Sequence, residues 1–234
     1  MHKYYTIKGK EDGFGAQYQA IMSGIAYCFN KKYVYVHTPF TKIEHGCDVE
    51  KANDFIGIKT IDINPSNTIV EHAYIIEVHH SEKPSLYYNN ETRKFLRDSY
   101  YSTKKPEIIP IDIAIHIRRG DVSETEFSNR FNTNAYYASL IEKIKIKYPT
   151  YTVTIFSEGS YDDFKTIGLD ISCFRLNQDI FETFHCLVNA RVLIQAKSSF
   201  SYAAGILNSN TVYFMDGFWH NKLDDWLSID SLYA

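Results

Sequence analysis

Beyond Pro110 the chain alternates short apolar runs with longer amphipathic stretches, a regularity that few folds permit. The strand-like runs fall at residues 111–117, 151–156, 172–175, 192–195 and 211–214. Helical patterns separate them at 134–147, 161–167, 180–188 and 200–207. Strands joined through helical crossovers pair in parallel, and a parallel sheet buries both of its faces. The alternation therefore predicts an α/β layer with helices on either side of one parallel sheet.

The first part of the chain carries the same grammar more weakly. A strand candidate at 4–7 leads into Gly9, Gly13 and Gly15, then an apolar helical pattern over 17–29, then a strand at 33–36. Phe14, Tyr18, Ile21, Ile25 and Cys28 recur at three- and four-residue steps, so one face of that helix is buried. This is a βαβ opening whose glycine loop lets a ligand approach the backbone closely. From 41 to 67 the pattern fades, with a short helix around 49–55; a strand is expected at 74–78 and a helix at 91–101. His79 and His80 are adjacent, which on a strand sends them to opposite faces, so they read as structural residues rather than paired ligands. Pro106 and Pro110 bracket a linker. Two domains follow, 1–105 and 106–234, with a last helix at 219–229 placed to pack back toward the first domain.

Composition narrows the partners. A hydrophobic fraction of 44% and a charged fraction of 23% describe an ordinary folded chain, and its 19 Tyr and 15 Phe suit sheet and core positions. A net charge of -3 gives no general attraction for nucleic acid, so any cationic chemistry is local. Cys28, Cys47, Cys173 and Cys186 lack paired metal-ligand spacing and read as free thiols in a reducing compartment. The absence of a long apolar run and of a leader-like start gives the expectation of a soluble, cytoplasmic protein with no membrane span. Oligomeric state is left open.

The chemistry-bearing residues cluster where predicted strands end. The first of those strands runs into His116, Arg118, Arg119 and Asp121, at the carboxyl edge where open α/β sheets bind ligands. Two guanidinium forks there suit a phosphate or pyrophosphate, with Arg118 as the principal contact and Arg119 either sharing it or bracing the loop. Arg119-Gly120-Asp121 also spells an adhesion tripeptide, but it continues a buried strand instead of crowning an exposed loop. The next strand ends in Phe156-Ser157-Glu158-Gly159, where amides and a carboxylate can read a base or ribose. Lys197-Ser198-Ser199-Phe200-Ser201 lies between a strand and a helix, where hydroxyls and unpaired helix-start amides form an anion site. Helix capping is the ordinary alternative for Ser198 and Ser199.

The segment His116-Ile117-Arg118-Arg119-Gly120-Asp121 resembles the His-x-Arg-Arg-x-Asp motif of α-1,2-, α-1,6- and protein O-fucosyltransferases, and Gly120 favours the α-1,2 family. Asn134-Ala135-Tyr136-Tyr137, Ile155-Phe156-Ser157 and Ser198-Ser199-Phe200-Ser201-Tyr202-Ala203-Ala204 are similar, in order and spacing, to further motifs of that family. In the first half, Gly13-Phe14-Gly15-Ala16-Gln17 resembles its Gly-x-Gly-Asn-Gln loop. Ala16 stands where the family has Asn, and Tyr202-Ala203 replaces its aromatic pair.

The resemblance implies a GT-B-like enzyme: two Rossmann-like halves with the active site in the cleft between them, the first for the acceptor, the second for the nucleotide sugar. It implies inverting transfer of a fucosyl group from GDP-fucose to a glycan hydroxyl, without a cofactor or an obligatory metal. The lack of an Asp-x-Asp sequence agrees, since arginine and amide donors must then meet the charge of the leaving diphosphate. Its donor contacts fall on His116, Arg118, Arg119, Ser157, Glu158, Ser198, Ser199, Phe200 and Ser201, with Gly13, Phe14, Gly15 and Gln17 forming the glycine loop. Thr125-Glu126 resembles a Thr-Glu pair that supplies the base in α-1,6-fucosyltransferases, which makes Glu126 the candidate base beside Asp121 and Glu124. Alternatives are another nucleotide-sugar donor on the same fold, and a catalytically silent module that binds GDP or glycan.

Overall fold

The computed structural model describes residues 3–59, 68–72 and 82–233. Two compact units divide the chain, Met1–Pro106 and Glu107–Ala234. The strand expected at 74–78 and the pair His79-His80 lie outside the described residues.

In the first unit β1 (Tyr4–Lys8) is the centre of a three-stranded parallel sheet, flanked by β2 (Val34–Tyr35) and β3 (Ile69–His72). β3 was not foreseen, because Ile69 and Val70 are exposed and the following Glu71 and His72 are polar, so it carries no buried-strand pattern. Between β1 and β2 runs α1 (Phe14–Lys31), longer at both ends than its apolar periodicity indicates; Lys32, in the left-handed conformation at φ 57, ends it. Asp48 and Asn89 cap α2 (Val49–Ile56) and α3 (Asn90–Tyr101) by accepting from Lys51 N and Thr92 N, which satisfies amides that a helix start leaves unpaired. Phe14 meets Phe40 and Phe55 edge-on with centroids 6.0 Å away, and Phe55 meets Tyr100 at 5.3 Å. Over this cluster lies Lys105, whose ammonium is 4.4 Å from the Tyr100 centroid and donates to Phe55 O at 2.9 Å. Burial lowers its pKa to about 8.

The second unit holds a six-stranded, wholly parallel sheet in the order β6-β5-β4-β7-β8-β9. Its strands are β4 (Ile113–His116), β5 (Val153–Ser157), β6 (Phe174–Leu176), β7 (Val192–Ile194), β8 (Thr211–Phe214) and β9 (Leu227–Ser228). Period-two alternation splits β4 between two cores. Ile113, Ile115 and Ile117 join Tyr137, Leu140 and Ile144 of α4 (Asn134–Lys147) on one face. Each such buried isoleucine contributes about 1.5–3 kcal/mol. His116 points the other way, its ring 5.5 Å from Phe200 of α6 (Ser199–Leu207), which in turn meets Phe184 of α5 (Ile180–Asn189) at 5.3 Å. Helices thus cover both faces.

Two expectations need correction. Residues 161–167 form a 3-10 helix instead of an α-helix, started by Asp163 accepting from the amide and hydroxyl of Ser160. No α-helix forms at 219–229: turns lead to β9, which pairs with β8 through Tyr213↔Leu227 and Phe214↔Ser228, so this segment joins the sheet of its own unit, and a 3-10 turn begins at Ile229. Leu223, Trp226 and Ile229 recur at three-residue steps and mimic a helical stripe, yet turns bury all three equally well. Among the described residues, no helix is long and apolar enough to cross a membrane. None of the four cysteines forms a disulfide.

Candidate functional site

Because β5, β4 and β7 are adjacent and parallel, their carboxyl ends bring three loops to one edge of the second sheet. Ile117 N still donates to Phe156 O at 2.9 Å, so Arg118 emerges where the ladder stops. Its guanidinium is held from two elements. Nη2 pairs with Asp121 at 2.5 Å, and Nη1 donates to the Ser198 hydroxyl at 3.4 Å. Each terminal nitrogen keeps one further N–H, and a quarter of the side chain is exposed, while the buried Nε has no hydrogen-bond partner among the described residues. Asp121 is therefore a positioning partner of Arg118.

Arg119 has the bracing geometry. It donates to Arg118 O at 2.9 Å, Asn132 O at 2.9 Å and Asn134 Oδ1 at 3.1 Å, and its guanidinium carbon lies 4.3 Å from the centroid of the Phe131 ring. Burial lowers its pKa, although a guanidinium stays charged. Between the arginines and Asp121, Gly120 takes φ +82, and a Cβ there would fall 1.9 Å from Glu158 Oε2. Glycine is required both for the left-handed turn and for the approach of the Glu158 carboxylate. His116 lies buried beneath, its Nδ1 without a partner among the described residues. Burial first, then the Arg118 charge, lowers its pKa to about 3, so it is a neutral imidazole.

The serines divide by role. Ser198 caps α6, accepting from Phe200 N at 3.3 Å while also receiving Arg118. Ser199 is the first residue of α6 and is half-buried. Ser201 is wholly buried and accepts from Ala196 N at 3.1 Å, which joins the end of β7 to the helix. Ser157 donates to Ile117 O at 2.8 Å, across the ends of β5 and β4. Phe200 packs on His116.

Glu124 and Glu126 are exposed on the following loop. Ser123 organises that loop: its hydroxyl accepts from Glu126 N at 3.0 Å, and its amide donates to Glu126 O at 2.8 Å. The Glu126 carboxylate has no hydrogen bond or ion pair among the described residues. Two further residues secure the loop. Lys197 Nζ donates to Asn129 O at 3.2 Å, and Asn132 Nδ2 approaches Met215 Sδ at 3.6 Å. The sequence offered one signal for Lys197, a cation immediately before the helix cap; for Asn132 it offered none.

The glycine loop belongs to the first unit. Gly13 precedes α1, and its carbonyl accepts from the amides of Ala16 and Gln17. Gly15 is buried in the first turn, and Phe14 is a core residue. The Gln17 amide donates to Asp12 O at 2.5 Å and Lys42 O at 2.9 Å, stapling the loop ahead of the helix to a second one. Among the described residues, no three His, Cys, Asp or Glu side chains form a group that could hold a metal ion.

No protein-family model matches the chain, and no curated protein matches it. Among solved structures, the chain is similar to a mutant of Arabidopsis thaliana FUT1 in complex with GDP, with 11% identity, a TM-score of 0.43, and coverage of 91% of this chain and 70% of that one. It is also similar to the E. coli heptosyltransferase WaaC with ADP-2-deoxy-2-fluoro heptose, with 9% identity, a TM-score of 0.42, and coverage of 97% of this chain and 92% of that one.

Proposed function

We propose that the chain is a GT-B-like inverting glycosyltransferase that holds the diphosphate of a GDP-sugar on its second unit and transfers the sugar to a glycan hydroxyl. The observation that carries this reading is Arg118: a cation fixed at a sheet edge by Asp121 and Ser198, with one N–H on each terminal nitrogen left for a ligand. Two such N–H groups on one guanidinium support recognition of a diphosphate. The motif resemblance adds fucose as the sugar.

In the proposed reaction Glu126 takes the proton of the acceptor hydroxyl, and that oxygen attacks the anomeric carbon from the face opposite the diphosphate. As the bond to the diphosphate breaks, Arg118 receives the charge that develops on the leaving group, a role typically worth about 3 kcal/mol per positioned donor. Arg119 and Asp121 keep the loop and its guanidinium in place. Neutral His116 supports them without adding a competing charge.

Calorimetry with GDP, UDP and their sugar conjugates tests the donor, and transfer assays with and without EDTA test the need for a metal. Arg118→Ala is expected to weaken GDP binding by about a hundredfold or more, whereas Glu126→Gln keeps binding and loses transfer. Tighter binding of UDP than GDP would overturn the GDP assignment. GDP binding without any transfer would identify a binding module, and undiminished turnover by Glu126→Gln would remove it as the base.

A further inference from the structure

The first unit holds a cavity with two lysines in its lining. At the carboxyl end of β1 a cavity of about 100 Å³ is walled on its apolar side by Ile7, Ile21 and Phe40. Its polar lining is Lys8, Lys10, Gln17, Thr38 and Thr41, and it includes no carboxylate. In a chain of net charge -3, that is a strongly biased lining. Gly9 makes it possible: at φ +88 the backbone turns between the two lysines, and a Cβ there would lie 2.7 Å from the His72 ring.

The charges nearby are unevenly spent. Lys42 is matched by Glu11 at 3.0 Å, and Lys10 faces Asp12 at 4.0 Å. Lys8 is exposed, and its ammonium has no ion pair or hydrogen bond among the described residues. Gln17 has already given its amide protons to Asp12 O and Lys42 O. Thr38 shares a 2.7 Å hydrogen bond with Thr6, in which either hydroxyl is able to donate. With its amide protons spent, Gln17 keeps only its carbonyl oxygen, so the Lys8 ammonium and the threonine hydroxyls are what the lining offers an anion. A volume of about 100 Å³ is enough to seat one charged substituent of a larger ligand.

We infer that this cavity seats the oxyanion substituent, carboxylate or phosphate, of a sugar, and that the acceptor glycan is therefore anionic. The assignment of that sugar as the acceptor rests on the transferase reading above; the oxyanion site itself does not. Titration of the full chain with glucose 6-phosphate, glucuronate and glucose tests it. The titrations are run with saturating GDP and again in the Arg118→Ala variant, so that the second unit's arginine cannot supply the signal.

At least one of the two anions is expected to bind, and the stronger of them names the substituent, while neutral glucose gives no heat. Lys8→Gln is expected to weaken the anion at least fivefold and Lys8→Glu to abolish it. The melting temperature is expected to stay unchanged, because the Lys8 side chain is exposed and has no hydrogen bond or ion pair among the described residues. Glucose binding as tightly as its charged derivatives, an undiminished anion signal in Lys8→Glu, or no anion binding at all would overturn the inference. GDP affinity, expected to be the same in wild type and Lys8→Glu, reports separately on the transferase reading. Loss of GDP binding by the wild type would sink that reading and the acceptor assignment with it, and would leave the oxyanion site standing, since the Arg118→Ala titration requires no GDP.

Discussion

Just before Gly120 stand two adjacent arginines, Arg118 and Arg119, whose neighbours in sequence are nearly the same and whose environments are opposite. Arg118 keeps donors at the sheet edge, and Arg119 spends its own on Arg118 O, Asn132 O and Asn134. Residue type alone gives both the same chemistry; only the Phe131 ring and the carbonyls around Arg119 tell them apart. The turn that follows them is exacting. Gly120→Ala places a side chain at φ +82 and a methyl group on Glu158, and is expected to cost about 1–3 kcal/mol in urea denaturation. Repeating the substitution in a Glu158→Ala background should recover the collision's share and leave the backbone strain. Equal costs in the two backgrounds would show that Glu158 does not crowd this turn.

Elements were legible to the extent that burial left a period in the sequence. The central strands of the second unit are buried on both faces and read as apolar runs, so β4, β5, β7 and β8 fall within the expected limits or one residue beyond them. β3 and β9 escaped for different reasons: the first exposes its apolar residues, and the second is too short, at two residues, to show any alternation. In the site, Arg118, Asp121 and Ser198 were legible because a strand end and a helix cap place them together. Ser201 was legible as a hydroxyl but not as a joint between elements. Since it accepts from the Ala196 amide inside the core, Ser201→Ala strands a buried donor and should cost about 1–3 kcal/mol. Calorimetry should find GDP affinity retained in the folded variant; a large fall in affinity without a loss of stability would place Ser201 on the ligand instead.

At the scale of the whole molecule, each unit buries a histidine in its neutral form, His37 in the first and His116 in the second. Burial lowers His37 to about 4 and His116 to about 3, against about 6.5 in an unfolded chain. Between those values the unfolded state binds protons that the folded state refuses. Their contribution to stability is thus complete above about pH 6.5 and is lost as pH falls toward 4 and 3, with a limiting slope of about 1.4 kcal/mol per pH unit for each. Denaturant midpoints at pH 7 and pH 5 check this, and His116→Gln should flatten the part that belongs to the second unit. Equal midpoints at both pH values in the wild type would contradict it. The second sheet also tapers, from five residues in β5 to three at one outer strand, β6, and two at the other, β9. Borders that short display too few unpaired amides and carbonyls for a neighbouring molecule to zip onto, so the sheet carries its own guard against fibrous self-association.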